Sequence, residues 1–174
     1  MAPPKVEILI SAEKIRERIA ELGQQITADY QGRPVVLVGI LKGSFMFMAD
    51  LARALNLPVR LEFMGTKSYE KGTTTSGQVQ LTKDLDKPIE GEDVLLVEDI
   101  IDTGLTLNYL RHVLEQRAPR SLKVVAFLDK PSRRKIAVQG DYIGFTIEDH
   151  FVIGYGLDFE QQYRQLKDLC ILVP

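Results

Sequence analysis

Three apolar runs restrict the fold of this chain more than any other feature: Val35-Val36-Leu37-Val38-Gly39-Ile40, Val94-Leu95-Leu96-Val97, and residues 122–128. A strand with one wet face alternates apolar and polar residues, but these runs offer almost nothing to water on either side. Strands of that kind belong in a parallel sheet covered on both faces. The segments between them carry the 3.6-residue helical period. Ile15, Ile19, Leu22 and Ile26 follow a capping Ser11, and Leu107, Leu110, Val113 and Leu114 run up to a stop before Pro119. Residues 45–55 read as a further helix, ended near Asn56-Leu57-Pro58, and residues 6–10 and 59–63 as further strands. Alternating strands and helices joined by right-handed crossovers give an α/β fold with a doubly wound parallel sheet.

The 174 residues suit a single domain spanning 1–174 with one sizeable core. Hydrophobic residues make up 45% and charged residues 26%, so the chain can fill a core and still present a polar surface. No apolar stretch reaches the length of a membrane span, and the start is too short to read as a secretory signal; a cytoplasmic protein is expected. The net charge of −2 gives no general attraction for nucleic acid or membranes, so a polyanionic ligand must be held by local groups. Cys170 is the only cysteine and lies in an apolar run, which fits a small buried side chain better than a reactive thiol.

Those local groups are densest in residues 94–106, VLLVEDIIDTGLT. Glu98, Asp99 and Asp102 are expected to emerge at the carboxyl end of the second apolar strand, where open α/β sheets keep their ligand crevices. Asp102-Thr103-Gly104-Leu105-Thr106 then supplies backbone N–H groups and two hydroxyls at a helix N-terminus, which suits a phosphate. Carboxylates beside a phosphate repel it unless another group intervenes. A magnesium ion and sugar hydroxyls both satisfy carboxylate oxygens, so the segment suits a phosphorylated sugar. Lys42-Gly43-Ser44 follows the first buried strand, and its N–H groups and ammonium can grip further phosphate oxygens; as an alternative, Ser44 is a plain helix cap. Residues 65–78 have almost no apolar side chain except Tyr69 and read as a long mobile loop. With residues 79–81 returning as a strand, 59–82 form a hairpin carrying a lid at about 66–77. Residues 142–147 and 151–153 read as short strands outside the main pattern, and Arg133-Arg134-Lys135 as a solvated turn.

Residues 94–106 resemble the phosphoribosyl-pyrophosphate signature of the type I phosphoribosyltransferases. Leu41-Lys42-Gly43-Ser44, Lys67-Ser68-Tyr69, Leu128-Asp129-Lys130, residues 149–155 and residues 158–164 continue the likeness, in the order found in the hypoxanthine-guanine members. The resemblance implies the type I phosphoribosyltransferase fold with a small base-binding subdomain, and a homodimer or homotetramer. It implies a purine-salvage transferase that converts hypoxanthine or guanine and phosphoribosyl pyrophosphate to IMP or GMP and pyrophosphate, with Mg2+. It implies that Glu98 and Asp99 bind ribose hydroxyls or the metal, and that Asp158 binds a second magnesium. Asp102 becomes the base for the purine N7 proton, and Thr103, Gly104 and Thr106 the cradle of the 5′-phosphate. Lys42, Gly43 and Arg164 face the pyrophosphate, and Ser68 and Tyr69 close over the site. Lys130 donates to the 6-oxo oxygen, Phe151 stacks on the base, and the Val152 backbone meets its edge. The Leu41–Lys42 peptide is expected to be cis. Leu105 departs from members with a basic residue in the phosphate turn, and no catalytic role falls to His112 or His150.

Two rival functions fit less well. A regulatory RNA-binding relative needs a basic face, and this chain is slightly acidic with a single basic triplet. An enzyme for a 6-aminopurine needs an acceptor where Lys130 stands, and an ammonium only donates.

Overall fold

The computed structural model describes residues 5–71 and 74–173, with no side chains described between 69 and 77. In chain order the elements are β1 (Lys5–Ile10), α1 (Ala12–Tyr30), β2 (Val35–Leu41), α2 (Phe45–Ala54), β3 (Val59–Lys71) and β4 (Thr74–Lys83). They continue with β5 (Asp93–Ile101), α3 (Leu105–Glu115), β6 (Ser121–Asp129), a 3-10 turn (Pro131–Arg133), β7 (Tyr142–Thr146), β8 (Val152–Ile153) and β9 (Leu169–Val173). Six strands form the main sheet in the order β4-β3-β2-β5-β6-β7, and β1-β9-β8 form a small antiparallel sheet.

The apolar runs lie where their composition requires. Along β2, β5 and β6 the side chains alternate between two cores. Leu37, Leu95, Val97, Val125 and Phe127 pack with α1, α2 and the small sheet, while Val36, Val38, Val94, Leu96, Val124 and Ala126 pack with α3. Both faces of the parallel strands are therefore covered, which explains why no polar residue interrupts β2 or residues 94–97 of β5. Ser11 caps α1 by accepting from Lys14 N, as its sequence position suggests. Strand β3 leaves β2 on one side, and the chain re-enters with β5 on the other. The order reverses there, so a crevice opens between the carboxyl ends of β2 and β5.

Four expectations need correction. Most of residues 65–78 is strand, not loop: β3 and β4 pair antiparallel from Thr66 opposite Leu81 to Lys71 opposite Thr74. Ladder hydrogen bonds come from the backbone, and an edge ribbon wet on both faces needs no apolar alternation to form. Residues 72 and 73 of the expected lid lie outside the described residues, as do the side chains of 69–77, that of Tyr69 among them. Glu98 and Asp99 sit within β5, which continues to Ile101. Strand β7 belongs to the main sheet, parallel to β6, and only β8 falls outside it, in the small sheet with β1 and β9. Ser44 is no side-chain cap; it is fully buried and its hydroxyl donates to Ile40 O at 2.7 Å.

Candidate active site

The crevice has a volume of about 320 Å³ and gathers side chains that are far apart in sequence. Lys42 and Gly43 enter from the loop after β2, and Glu98 and Asp99 from β5. Asp102, Thr103, Gly104 and Thr106 come from the β5–α3 turn, and Asp158 and Arg164 from the loop before β9. Thr66 on β3 also lines it; sequence reasoning missed this residue because a lone threonine in a polar stretch carries no signal. Ser68 is exposed on β3 and is not part of the lining.

Close backbone approaches hold these loops together. The Leu41–Lys42 peptide is cis, as expected. A Cβ added to Gly43 would lie 1.8 Å from Asp99 Oδ2, so only glycine lets this loop pass the carboxylate. Gly104 ends the β5–α3 turn as the residue before α3, with φ 87°, a conformation glycine adopts without penalty. Gly104 and Thr106 both line the crevice at the start of α3. Thr103 Oγ1 accepts from Leu105 N at 3.4 Å.

The basic triplet is a turn with Arg133 and Lys135 exposed, as expected, but Arg134 is half-buried, and both arginines are tied to the site. Arg134 donates from Nη1 to Asp102 O at 3.0 Å and Ile101 O at 3.1 Å, and from Nη2 to Asp129 Oδ1 at 2.6 Å. Its guanidinium thus clamps the end of β5 to the end of β6. Arg133 Nε donates to Asp102 Oδ1 at 3.0 Å.

Glu98 and Asp99 are electrostatically unlike the other carboxylates. Glu98 is 5% exposed, and burial, with the neighbouring Asp99 charge, pushes its carboxyl well above the usual range. Burial also pushes Asp99 up to about 6, although Ile100 N donates to its Oδ1 at 2.7 Å. Among the described residues, neither has a basic side chain within ion-pair distance. Asp158 does: Arg164 Nη2 lies 3.1 Å from its Oδ1. Arg164 also donates to Gly156 O at 2.7 Å, and Lys42 Nζ lies 3.4 Å from Gln161 Oε1, which brings both cations to the same loop.

Among the described residues no cluster of three or more His, Cys, Asp or Glu forms a complete metal cage. Two carboxylates without an ion pair nonetheless fit a magnesium ion, which takes one or two carboxylates and completes its shell with water and substrate oxygens.

The base-binding candidates lie beside the crevice, outside its lining. Lys130 is 7% exposed at the end of β6, its Nζ 3.6 Å from Asp149 Oδ1. Phe151 is 56% exposed, its ring perpendicular to that of Phe159 at 5.9 Å. Val152 is buried in β8, paired with Ile171 of β9. His150 lies 3.7 Å from Glu148, and His112 is exposed in the last turn of α3.

Comparison with known proteins agrees with this geometry. A family model described as the phosphoribosyl transferase domain matches residues 6–160. The chain is 54% identical over 164 residues to a hypoxanthine phosphoribosyltransferase of Haemophilus influenzae, covering 92% of each chain. It is 52% identical over 163 residues to the Escherichia coli protein of that description, again over 92% of each. A crystal structure of a hypoxanthine phosphoribosyltransferase from Staphylococcus aureus superposes with a TM-score of 0.93 at 47% identity, covering 97% of this chain and 91% of that one.

Proposed function

The chain belongs to the phosphoribosyl transferase domain family, and from that premise we propose that it transfers the 5-phosphoribosyl group of phosphoribosyl pyrophosphate to hypoxanthine or guanine. One observation carries this reading most directly: the buried Glu98 and the half-buried Asp99, neither with a basic side chain within ion-pair distance among the described residues, stand beside the turn of residues 102–106 in one crevice. Burying a charge without a partner costs free energy, so such a pair makes sense where a ligand completes it.

In the proposed reaction the backbone of residues 103–106, with the Thr103 and Thr106 hydroxyls, binds the 5′-phosphate at the entrance to α3. Glu98 and Asp99 hold the ribose hydroxyls and a magnesium ion, with Asp158 beside them. Magnesium bound there supplies positive charge to the pyrophosphate oxygens. Displacement at the sugar C1′ builds positive charge on the ribose, by analogy with glycoside cleavage. One carboxylate about 4 Å from a unit charge contributes roughly 4 kcal/mol at an effective dielectric near 20. If felt only in the transition state, that is on the order of a thousandfold in rate. Lys42 and Arg164 stabilise the departing pyrophosphate, with the Gly43 backbone alongside. Lys130 donates to the purine 6-oxo oxygen, Asp102 takes the N7 proton, Phe151 stacks on the ring and the Val152 backbone meets its edge. Ser68 and Tyr69, on the β3–β4 ribbon, exclude water during turnover.

We propose also that the protein works in the cytoplasm as a dimer or tetramer. Exposed Ile8, Leu61 and Phe45, together with an apolar groove between α1 and α2, support association. Among the described residues no helix is long and apolar enough to cross a membrane.

The test is a panel of bases incubated with phosphoribosyl pyrophosphate and magnesium. IMP or GMP is expected from hypoxanthine or guanine, with no product from adenine and none in excess chelator. A preference for adenine, or full turnover in chelator, overturns the reading.

A further inference from the structure

Four charged side chains at the mouth of the crevice form a single chain. Lys130 Nζ lies 3.6 Å from Asp149 Oδ1, Arg133 Nη1 lies 3.7 Å from Asp149 Oδ2, and Arg133 Nε lies 3.0 Å from Asp102 Oδ1. These residues come from three loops. Asp102 follows β5, Lys130 and Arg133 follow β6, and Asp149 lies between β7 and β8. Along the chain the signs alternate and the formal charges cancel.

The two ends of this chain, Lys130 and Asp102, are the groups that the proposed reaction turns toward the purine. Without ligand, each end is held by an opposite charge. The two middle residues, Arg133 and Asp149, are already neighbours. If the purine takes over Lys130 and Asp102, the middle pair can close on itself, and no charge is left alone at any stage. This matters because Lys130 is nearly buried and an entering base excludes water from the rest. While the site is open, the pairs at Arg133 are half exposed and weak, so they yield readily.

We infer that Arg133 and Asp149 are positioning residues, an exchange pair that keeps Lys130 and Asp102 compensated until a 6-oxopurine replaces their partners. The inference rests on the proposed transferase reading and deepens it. Each single loss then has its own direction. In Arg133→Gln, Lys130 becomes the only cation near Asp149 among the described residues, so the carboxylate competes with the purine for it and base binding weakens. In Asp149→Asn, Arg133 keeps only Asp102, so the base is held and turnover slows, while Lys130 is freed. In the double variant both competing partners are gone and the two defects offset.

The experiment measures kcat and the KM for hypoxanthine at saturating phosphoribosyl pyrophosphate and magnesium, with calorimetric affinities for IMP and for ribose 5-phosphate. Arg133→Gln is expected to raise the hypoxanthine KM and IMP Kd about fivefold to tenfold, with kcat and ribose 5-phosphate affinity within about twofold. Asp149→Asn is expected to lower kcat by about the same factor without raising the hypoxanthine KM. The double variant is expected to lie nearer wild type than the product of the single effects, and Arg133→Lys to recover much of the lost base affinity. Effects that simply multiply, or that fall equally on ribose 5-phosphate binding, overturn the exchange pair while leaving the transferase reading intact. Wild-type protein that neither forms nucleotide nor binds IMP overturns both.

Discussion

The two ends of β5 carry the same chemistry to opposite purposes. At its start Asp93 is 2% exposed, yet its carboxylate is fully compensated. Arg120 donates to it from Nε at 3.1 Å and again from Nη2, Ser121 Oγ donates at 2.6 Å, and Arg33 Nε at 3.2 Å. Those hydrogen bonds, Arg120 foremost, hold it down at about 2. Five residues on, Glu98 is buried and the adjoining Asp99 half-buried with no basic side chain within ion-pair distance among the described residues, and desolvation pushes both up although Ile100 N and the more distant Arg164 favour the Asp99 charge. Burial alone therefore does not mark a functional carboxylate. What marks it is burial left uncompensated, at the strand end where the sheet order reverses.

If that contrast is sound, substitutions at the two ends should fail in different assays. The largest effect belongs to Asp102→Asn, which keeps shape and an acceptor but removes basicity. Its turnover should fall by about 10²–10⁴, the usual worth of a positioned acid or base, and thermal stability should barely change. Donor affinity should also hold, because the phosphate turn is intact, so steady-state kinetics should show kcat and kcat/KM falling together. A fully active variant would return Asp102 to a structural role.

At the other end Asp93→Asn should leave kcat unaltered where the protein is folded, but cost about 2 kcal/mol in urea unfolding at pH 7, the scale for a charged hydrogen-bond network. The pH dependence follows from the depressed carboxyl. Its folded value is about 2 against 3.8, so its stabilisation is complete above about 4 and lost as the pH falls toward 2. The gap between wild type and variant should narrow over that window; a gap constant with pH would show that packing, not charge, is at stake. The smallest effect is expected from Arg33→Gln. Arg33 is half exposed and only one of three donors, so the loss should stay under about 1 kcal/mol with no kinetic change.

Much of this contrast was legible in the sequence. The double-buried strands and the acidic turn after β5 were readable because burial on both faces removes polar residues and a phosphate turn needs glycine and hydroxyls. The crevice likewise assembled Lys42, Asp158 and Arg164 from segments recognised by resemblance. Arg134 was not readable: a clamp on backbone carbonyls requires only that an arginine reach them, and a polar turn gives no sign of it. β7 was readable as a short strand, but its place in the main sheet was not, because its half-buried edge position does not show which strand it joins. The β3–β4 hairpin was readable in outline, but the reach of its ladder to Lys71 and Thr74 was not, because that pairing is made by backbone groups, to which the polar side chains of 65–78 bear no witness.

The most direct test of the contrast is thermal unfolding of Glu98→Gln/Asp99→Asn beside wild type, first without ligand and then with magnesium and phosphoribosyl pyrophosphate. Neutral side chains remove a desolvation penalty that the backbone hydrogen bonds and the more distant Arg164 offset only in part in the free protein. The ligand-free variant should therefore be at least as stable as wild type at neutral pH, while the rise in Tm produced by the two ligands together is lost. A variant that unfolds earlier, as Asp93→Asn should, yet keeps the full ligand-induced rise, would contradict the account: Glu98 and Asp99 would then be structural carboxylates like Asp93.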